Sequence, residues 1–339
     1  MKRTAEPAVA AEAAPAVTDW RRHGAAAVRS GTRSAVRAAV LALALVAGPF
    51  AAAPAAAQPV TAPAASDGID VGRKSRAIGL ASAEDVEKSA ALEYQQLIRQ
   101  AAQQGALAPP DHPQTIRLRT IAQRLIREST RFNERAAGWK WEVNLIGSKQ
   151  INAFCMPGGK IAFFSGILST LQLTDDEVAI VMGHEIAHAL REHGRERVGK
   201  MRLAQIGTVI ASIGGALLGF GDLGGQVASG AAQLTMLKYG RDDETEADLV
   251  GLDIAARAGF DPRAGIVVWQ KMSAASKGQP PQWLSSHPSH AARIGEISKA
   301  LDKTMPLYAR ARGESLAALP PYRSNVGQPI PWPLITARK

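Results

Sequence analysis

TDDEVAIVMGHEIAHALREHGRERV, residues 174–198, combines a helix start, an apolar run and two histidines four positions apart. Thr174 and Glu177 stand three residues apart ahead of the apolar run, the spacing of a capping box. Asp175 and Asp176 fall in the first turn, where the helix dipole favours negative charge. The spacing predicts a helix that starts near Asp175 and continues past His188. Within it, residues four apart project from one face, so His184 and His188 can reach one zinc ion at ~2.0–2.1 Å. Glu185 follows the first histidine directly and points beside that ion. There a carboxylate can take a proton from a zinc-activated water and return it to a leaving amine. A chance HExxH is expected in about one such chain in a hundred, and here the motif lies inside a capped helix.

A catalytic zinc takes three protein ligands and leaves a fourth position open. The HExxHxxGxxH pattern would need histidine at 194, where this chain has Gly194, and Arg191 replaces that pattern's glycine. His193 is one residue off and is expected on the helix flank. A glutamate at the longer helical spacing would fall at Gly207, with no acid before Asp222. The strongest candidate is the acidic run Arg241-Asp242-Asp243-Glu244-Thr245-Glu246-Ala247-Asp248. Glu244 and Asp248 share a helix face, which suits Glu244 as a ligand and Asp248 as the acceptor for a ligand histidine N–H. The competing reading is a solvated acidic helix start. Glu246 points elsewhere on that helix and is expected to be structural.

Outward from this core, Val86, Ala90, Tyr94, Leu97, Ile98 and Ala101 recur at helical spacing up to Gly105. A second helical pattern runs from about Gln114 to Phe132, with Leu118, Ile121, Ala122, Leu125 and Ile126 as its stripe. Trp139, Trp141, Val143 and Leu145 then alternate with Lys140, Glu142 and Asn144, a half-buried strand. Next, Pro157-Gly158-Gly159 separates two apolar runs and predicts a hairpin. One small antiparallel sheet is expected. Residues 203–237 are apolar and rich in Gly and Ala, and Leu203 to Phe220 carries no charge; the threonine, serine and glycines there favour, for 203–237, a helical hairpin packed over the core or dipping into a membrane surface over a span. Helical patterns return from Arg241 to Gly259, from Asp261-Pro262 and from Pro288, before a Pro-rich tail expected to run extended.

The chain has 339 residues, 46% of them apolar and 21% charged, which excludes a disordered or collagen-like protein. One cysteine, Cys155, rules out an intrachain disulfide, a four-cysteine zinc site and an iron–sulfur cluster. The formal charge is +10, without a nucleic-acid motif or an aromatic-rich basic stripe, so no nucleic acid is expected as a partner. Arg29, Arg33 and Arg37 precede an uncharged apolar run that ends at Ala55-Ala56-Ala57, the layout of a secretory signal peptide. The expected organisation is a leader over 1–57, a linker over 58–80, one domain over 81–303 and a tail over 304–339.

HEIAH followed by RxxExEAD, with NAFCMPGGKIAFFSGIL before and LSSHPSHAARI after, resembles the gluzincin metallopeptidases that include HtpX, the CAAX prenyl endopeptidase and the OMA-type proteases. The resemblance runs from about Glu84 to Leu301 and is greatest to soluble exported members such as BepA and LoiP, without their helical repeats. It implies an α+β, mainly α-helical zincin-like domain holding one zinc ion per chain through His184, His188 and Glu244, with Asp248 beside them. It further implies that the strand Asn152, Ala153, Phe154, Cys155 and Met156 offers a free edge to an extended peptide. Arg293 is implied as an oxyanion stabiliser and His287 as a regulatory fourth ligand, with His290 as its nearby competitor. The expected activity is zinc-dependent cleavage of unfolded or misassembled envelope proteins in the periplasm; the alternative is a chaperone-like or latent zinc-binding assembly factor with little turnover.

Overall fold

A computed structural model describes residues 67–205, 239–276, 281–287, 292–327 and 330. The expected leader, the apolar stretch beyond Gln205 and His290 lie outside these residues. Those described are mainly helical, around one three-stranded sheet.

The helix at the centre, α4 (Asp175–Leu190), follows α1 (Ala83–Gln103), α2 (Pro113–Ile126) and the short α3 (Ser165–Leu171). Both halves of its capping box form: Thr174 Oγ1 accepts from the Glu177 N–H at 3.4 Å, and Glu177 Oε2 accepts from the Thr174 N–H at 2.9 Å. Every residue from Glu177 to Leu190 is buried. A helix buried on all sides is a core helix rather than an amphipathic surface one, so His184, Glu185 and His188 sit in the interior.

The sheet packs against α4. Its strands β1 (Glu142–Ile146), β2 (Ala153–Met156) and β3 (Lys160–Phe164) lie in the order β1-β3-β2. The β2–β3 hairpin is antiparallel, as the Pro-Gly-Gly turn predicts. β1, however, pairs with β3 in parallel, so the sheet is mixed and not the purely antiparallel one expected. The connection 147–152 reverses the chain without placing β2 beside β1; β3 returns between them and so runs along β1. Alternation assigns the two faces. Ala153, Cys155, Ile161 and Phe163 join the main core, while Phe154, Met156, Ala162 and Phe164 pack with Tyr94 and Ala90 of α1. Strand β2 is left at the edge.

Behind α4 runs α6 (Arg241–Arg257), separated in sequence from α5 (His193–Gln205). The two helices cross backbone to backbone. A Cβ on Gly183 would lie 2.9 Å from the Gly251 carbonyl oxygen, and one on Gly251 would lie 2.7 Å from the His184 nitrogen. Helices α7 (Ala264–Ala275), α8 (Gln282–Ser286) and α9 (Ala292–Arg312) complete the bundle.

Both expected flanks differ from the sequence reading where they are described. Of the expected linker, residues 67–80 are docked: Ile69 is buried, its N–H donates to Asp253 Oδ2 at 2.8 Å, and Arg76–Leu80 form a 3-10 helix. At the other end, α9 continues past residue 303, through Pro306, to Arg312. Burial of Met305, Leu307 and Ala309 offsets the hydrogen bond that proline removes. The tail then returns to α4, where Ser324 Oγ donates to Glu177 Oε1 at 2.5 Å; Lys271 Nζ holds the other oxygen at 2.6 Å.

Gly251→Ala is expected to push α4 and α6 apart, because the obstructing atoms are backbone. Thermal melting should show a loss of about 1–3 kcal/mol and metal titration a weakened site. Wild-type values for both would show slack at the crossing.

Candidate metal centre

Four side chains converge where α4 meets α6. His184 and His188 come from successive turns of α4, Glu244 from the first turn of α6, and His287 from the residue that ends α8. One donor atom from each lies within 4.8 Å of the other three, and all four residues are buried. The Nε2 atoms of His184 and His188 are 3.0 Å apart. His287 Nδ1 lies 3.2 Å from His184 Nε2 and 3.0 Å from Glu244 Oε1. Glu244 is 3.5 Å from His188 Nε2 and 3.6 Å from His184 Nε2. Tetrahedral coordination at ~2.0–2.2 Å sets neighbouring ligand atoms roughly 3.3–3.5 Å apart, so the quartet has the right size and donor types for zinc.

Proton placement points the same way. His184 Nδ1 lies 3.0 Å from Asp248 Oδ1. A carboxylate only accepts, so the proton belongs on Nδ1 and Nε2 presents a lone pair to the quartet. His188 is held neutral: burial first, then the neighbouring imidazoles, push its pKa well below the usual value. Lone pairs converging at this distance with a carboxylate suit a bound cation.

Arg293 lies behind the ligands. Its Nη1 donates to Glu244 Oε2 at 2.6 Å; its Nε and Nη2 donate to Asp248 at 2.7 and 2.6 Å. Its guanidinium also stacks 3.7 Å over the Trp269 ring. This buried cation, expected as an oxyanion stabiliser, pairs with two carboxylates and is not among the residues that line the cavity beside Glu185. Burial alone would raise the pKa of Asp248, but Arg293 and His184 outweigh it and hold it at about 2. Glu244 is likewise lowered despite burial, by His287, His184 and Arg293. In turn, burial works against the charge on Arg293, and the two carboxylates more than restore it.

Glu185 lies beside the quartet, with Oε1 3.6 Å from His287 Nε2. It also accepts a hydrogen bond from the indole N–H of Trp283 at 2.6 Å. A narrow cavity between α4 and the edge strand is lined by Asn152 to Pro157 together with Glu185, His188, Tyr239 and His287. The sequence-predicted residues His184, Glu185, His188, Glu244, Asp248, His287 and the strand thus lie together. Trp283 and Tyr239 were not foreseen. Trp283 stands four residues before His287 and stacks on it, with centroids 4.7 Å apart. Tyr239, just ahead of α6, stacks on His188 at 3.8 Å.

Residues 113–301, more than half of the chain, match peptidase family M48. The chain belongs to peptidase family M48. The mitochondrial metalloendopeptidase OMA1 of Saccharomyces cerevisiae is 31% identical over 236 residues, 66% of this chain and 66% of that protein. Human mitochondrial metalloendopeptidase OMA1 is 34% identical over 175 residues, 49% of this chain and 33% of that protein. The β-barrel assembly-enhancing protease of Yersinia pestis is 27% identical over 198 residues, 56% of this chain and 39% of that protein. The chain spans less than two thirds of the length of these relatives. The M48 match contains all four donors of the quartet. Among the described residues, no helix is long and apolar enough to cross a membrane.

Arg293→Met tests the charge balance. It leaves the buried carboxylates Glu244 and Asp248 without their guanidinium, which should destabilise the metal-free protein by about 3–5 kcal/mol. Added zinc should recover part of that in a thermal melt, because a dication replaces the missing charge.

Proposed function

We propose that this protein is a zinc-dependent endopeptidase that cleaves extended segments of unfolded or misassembled proteins of the cell envelope. The observation that carries the reading is the placement of Glu185 beside the donor quartet and along one edge strand. Zinc bound there would act as a Lewis acid, polarising the scissile carbonyl and lowering the pKa of water.

The chain's own residues supply the rest. Asp248 fixes the His184 tautomer, and Arg293 holds Glu244 and Asp248 in place. The free edge of β2 offers backbone N–H and C=O groups to an extended peptide, which selects unfolded chain over folded surface. The Glu185 carboxylate accepts a proton from the attacking water and passes it to the amide nitrogen as the C–N bond breaks. Membership of M48 and the signal-like N-terminus support an exported hydrolase; among the relatives are both a β-barrel assembly-enhancing protease and mitochondrial enzymes.

In the arrangement described, His287 supplies a fourth donor and Trp283 occupies an oxygen of Glu185. Both features favour a resting state that is closed to substrate. They also give the second reading, a latent zinc-binding assembly factor, its specific support.

Casein cleavage measured together with zinc content tests these readings. Glu185→Gln should retain one zinc per chain and lose cleavage by about a hundredfold or more. His287→Ala should cleave faster than wild type. Zinc binding without cleavage in wild type and His287→Ala would favour the assembly factor. Failure of wild type to take up supplied zinc would remove the metal site.

A further inference from the structure

His193 and Glu246 have no part in the quartet, yet they form a chain that ends on it, His193 buried and Glu246 half-buried. Helix α4 stops at Leu190, and Glu192 takes φ 62° before α5 begins at His193. A left-handed backbone is unfavourable for a residue with a Cβ. Here Lys74 and Arg195 clamp the Glu192 carboxylate at 3.0 and 2.8 Å, and Arg195 Nε also donates to the Ala81 carbonyl at 2.7 Å. The turn carries His193 back against α4. Its Nδ1 lies 2.8 Å from His188 Nδ1, and its Nε2 lies 2.8 Å from Glu246 Oε2. The other oxygen of Glu246 pairs with Arg191 Nε at 2.5 Å. His193 itself is only 3% exposed.

The protons follow from donor and acceptor inventory. A carboxylate only accepts, so His193 carries its proton on Nε2. In the neutral imidazole its Nδ1 is then a lone pair, and His188 donates to it from Nδ1. That leaves His188 Nε2 unprotonated and directed at the quartet. His184 reaches the same state through direct contact with Asp248. On α6, Glu246 faces away from the side that carries Glu244 and Asp248, so an imidazole bridges the gap.

We infer that His193 and Glu246 are positioning residues for His188, a relay that fixes its tautomer and ring orientation for metal binding. This rests on the reading of the quartet as a zinc site. Neither residue lines the cavity beside the edge strand, and the relay bears on metal affinity before it bears on turnover.

Zinc dissociation constants of the full chain, measured by competition with a chromogenic chelator, test it. Melting of the metal-free proteins is followed alongside. His193→Leu removes the acceptor and should weaken zinc binding roughly 10–100-fold, with the metal-free melting temperature close to wild type. His193→Asn places Oδ1 where Nδ1 stood and should recover most of the affinity. Glu246→Ala should weaken binding several-fold, and it decides the question if His193→Leu does not fold. Wild-type affinity in His193→Leu, or equal losses in His193→Leu and His193→Asn, would overturn the relay. So would wild-type affinity in Glu246→Ala where His193→Leu does not fold. Absence of zinc binding in wild type, or no loss in His188→Ala, would instead overturn the metal-site reading.

Discussion

The contact between the backbones of α4 and α6 at Gly183 and Gly251 sets the position of every donor. Glu244, Asp248 and Gly251 lie on one stripe of α6 at intervals of four and three residues, the face that meets α4. Gly183 precedes His184, so the closest approach of the two helices falls at the first histidine. At an ordinary interaxial separation of 8–10 Å, set by side chains, the Glu244 carboxylate would stand away from the imidazoles. With only hydrogen atoms between the backbones, Asp248 comes within hydrogen-bonding distance of His184, and Glu244 comes within 3.6 Å of the Nε2 atoms of His184 and His188. The site is thus a consequence of helix packing more than of loop conformation.

That packing carries an electrostatic burden. Glu185, Glu244 and Asp248 are all buried, and Arg293 is the buried cation paired with two of them. Burying carboxylates without compensation is among the more destabilising things a core can do. A sequence selected for stability alone would fill this volume with leucine or phenylalanine. The conflict between local charge and the surrounding apolar core is the physical mark of a site kept for binding or chemistry. A dication at the quartet would resolve it, which couples metal binding to the stability of the fold.

Much of this was legible in the chain because the informative residues are local. The capping box, the i, i+4 histidines and the i, i+4 acidic pair each fit within two helical turns, and each formed as read. The Pro-Gly-Gly hairpin formed too. What escaped the sequence depends on distant contacts or on conformations without a residue signature. The parallel β1–β3 pairing is settled by which side of β1 the hairpin docks, and nothing in residues 147–152 states it. Pro306 reads as a helix breaker, yet burial of its neighbours carries α9 through it. The break at Arg191 and Glu192 contains neither glycine nor proline, so a continuous helix placed His193 on the flank. Its held left-handed residue becomes visible only once Lys74 and Arg195 are seen around Glu192.

The closure of the site rests on one short segment anchored by a buried tryptophan. Trp283 donates its backbone N–H to the Ile151 carbonyl at 3.1 Å and its indole N–H to Glu185, while Ser286 accepts from the Tyr239 N–H at 3.1 Å. His287 completes the attachment at Glu244. All of these contacts come from one segment of seven residues, 281–287, so the same segment holds both the base and the fourth donor. Ile151 lies two residues before β2, so the segment is anchored beside the edge strand. Each hydrogen bond contributes only about 0.5–1.5 kcal/mol net, but Trp283 and His287 are buried as well. Opening the segment would have to offset the burial of Trp283 as well as these hydrogen bonds, a cost that keeps Glu185 and the fourth donor closed in the arrangement described.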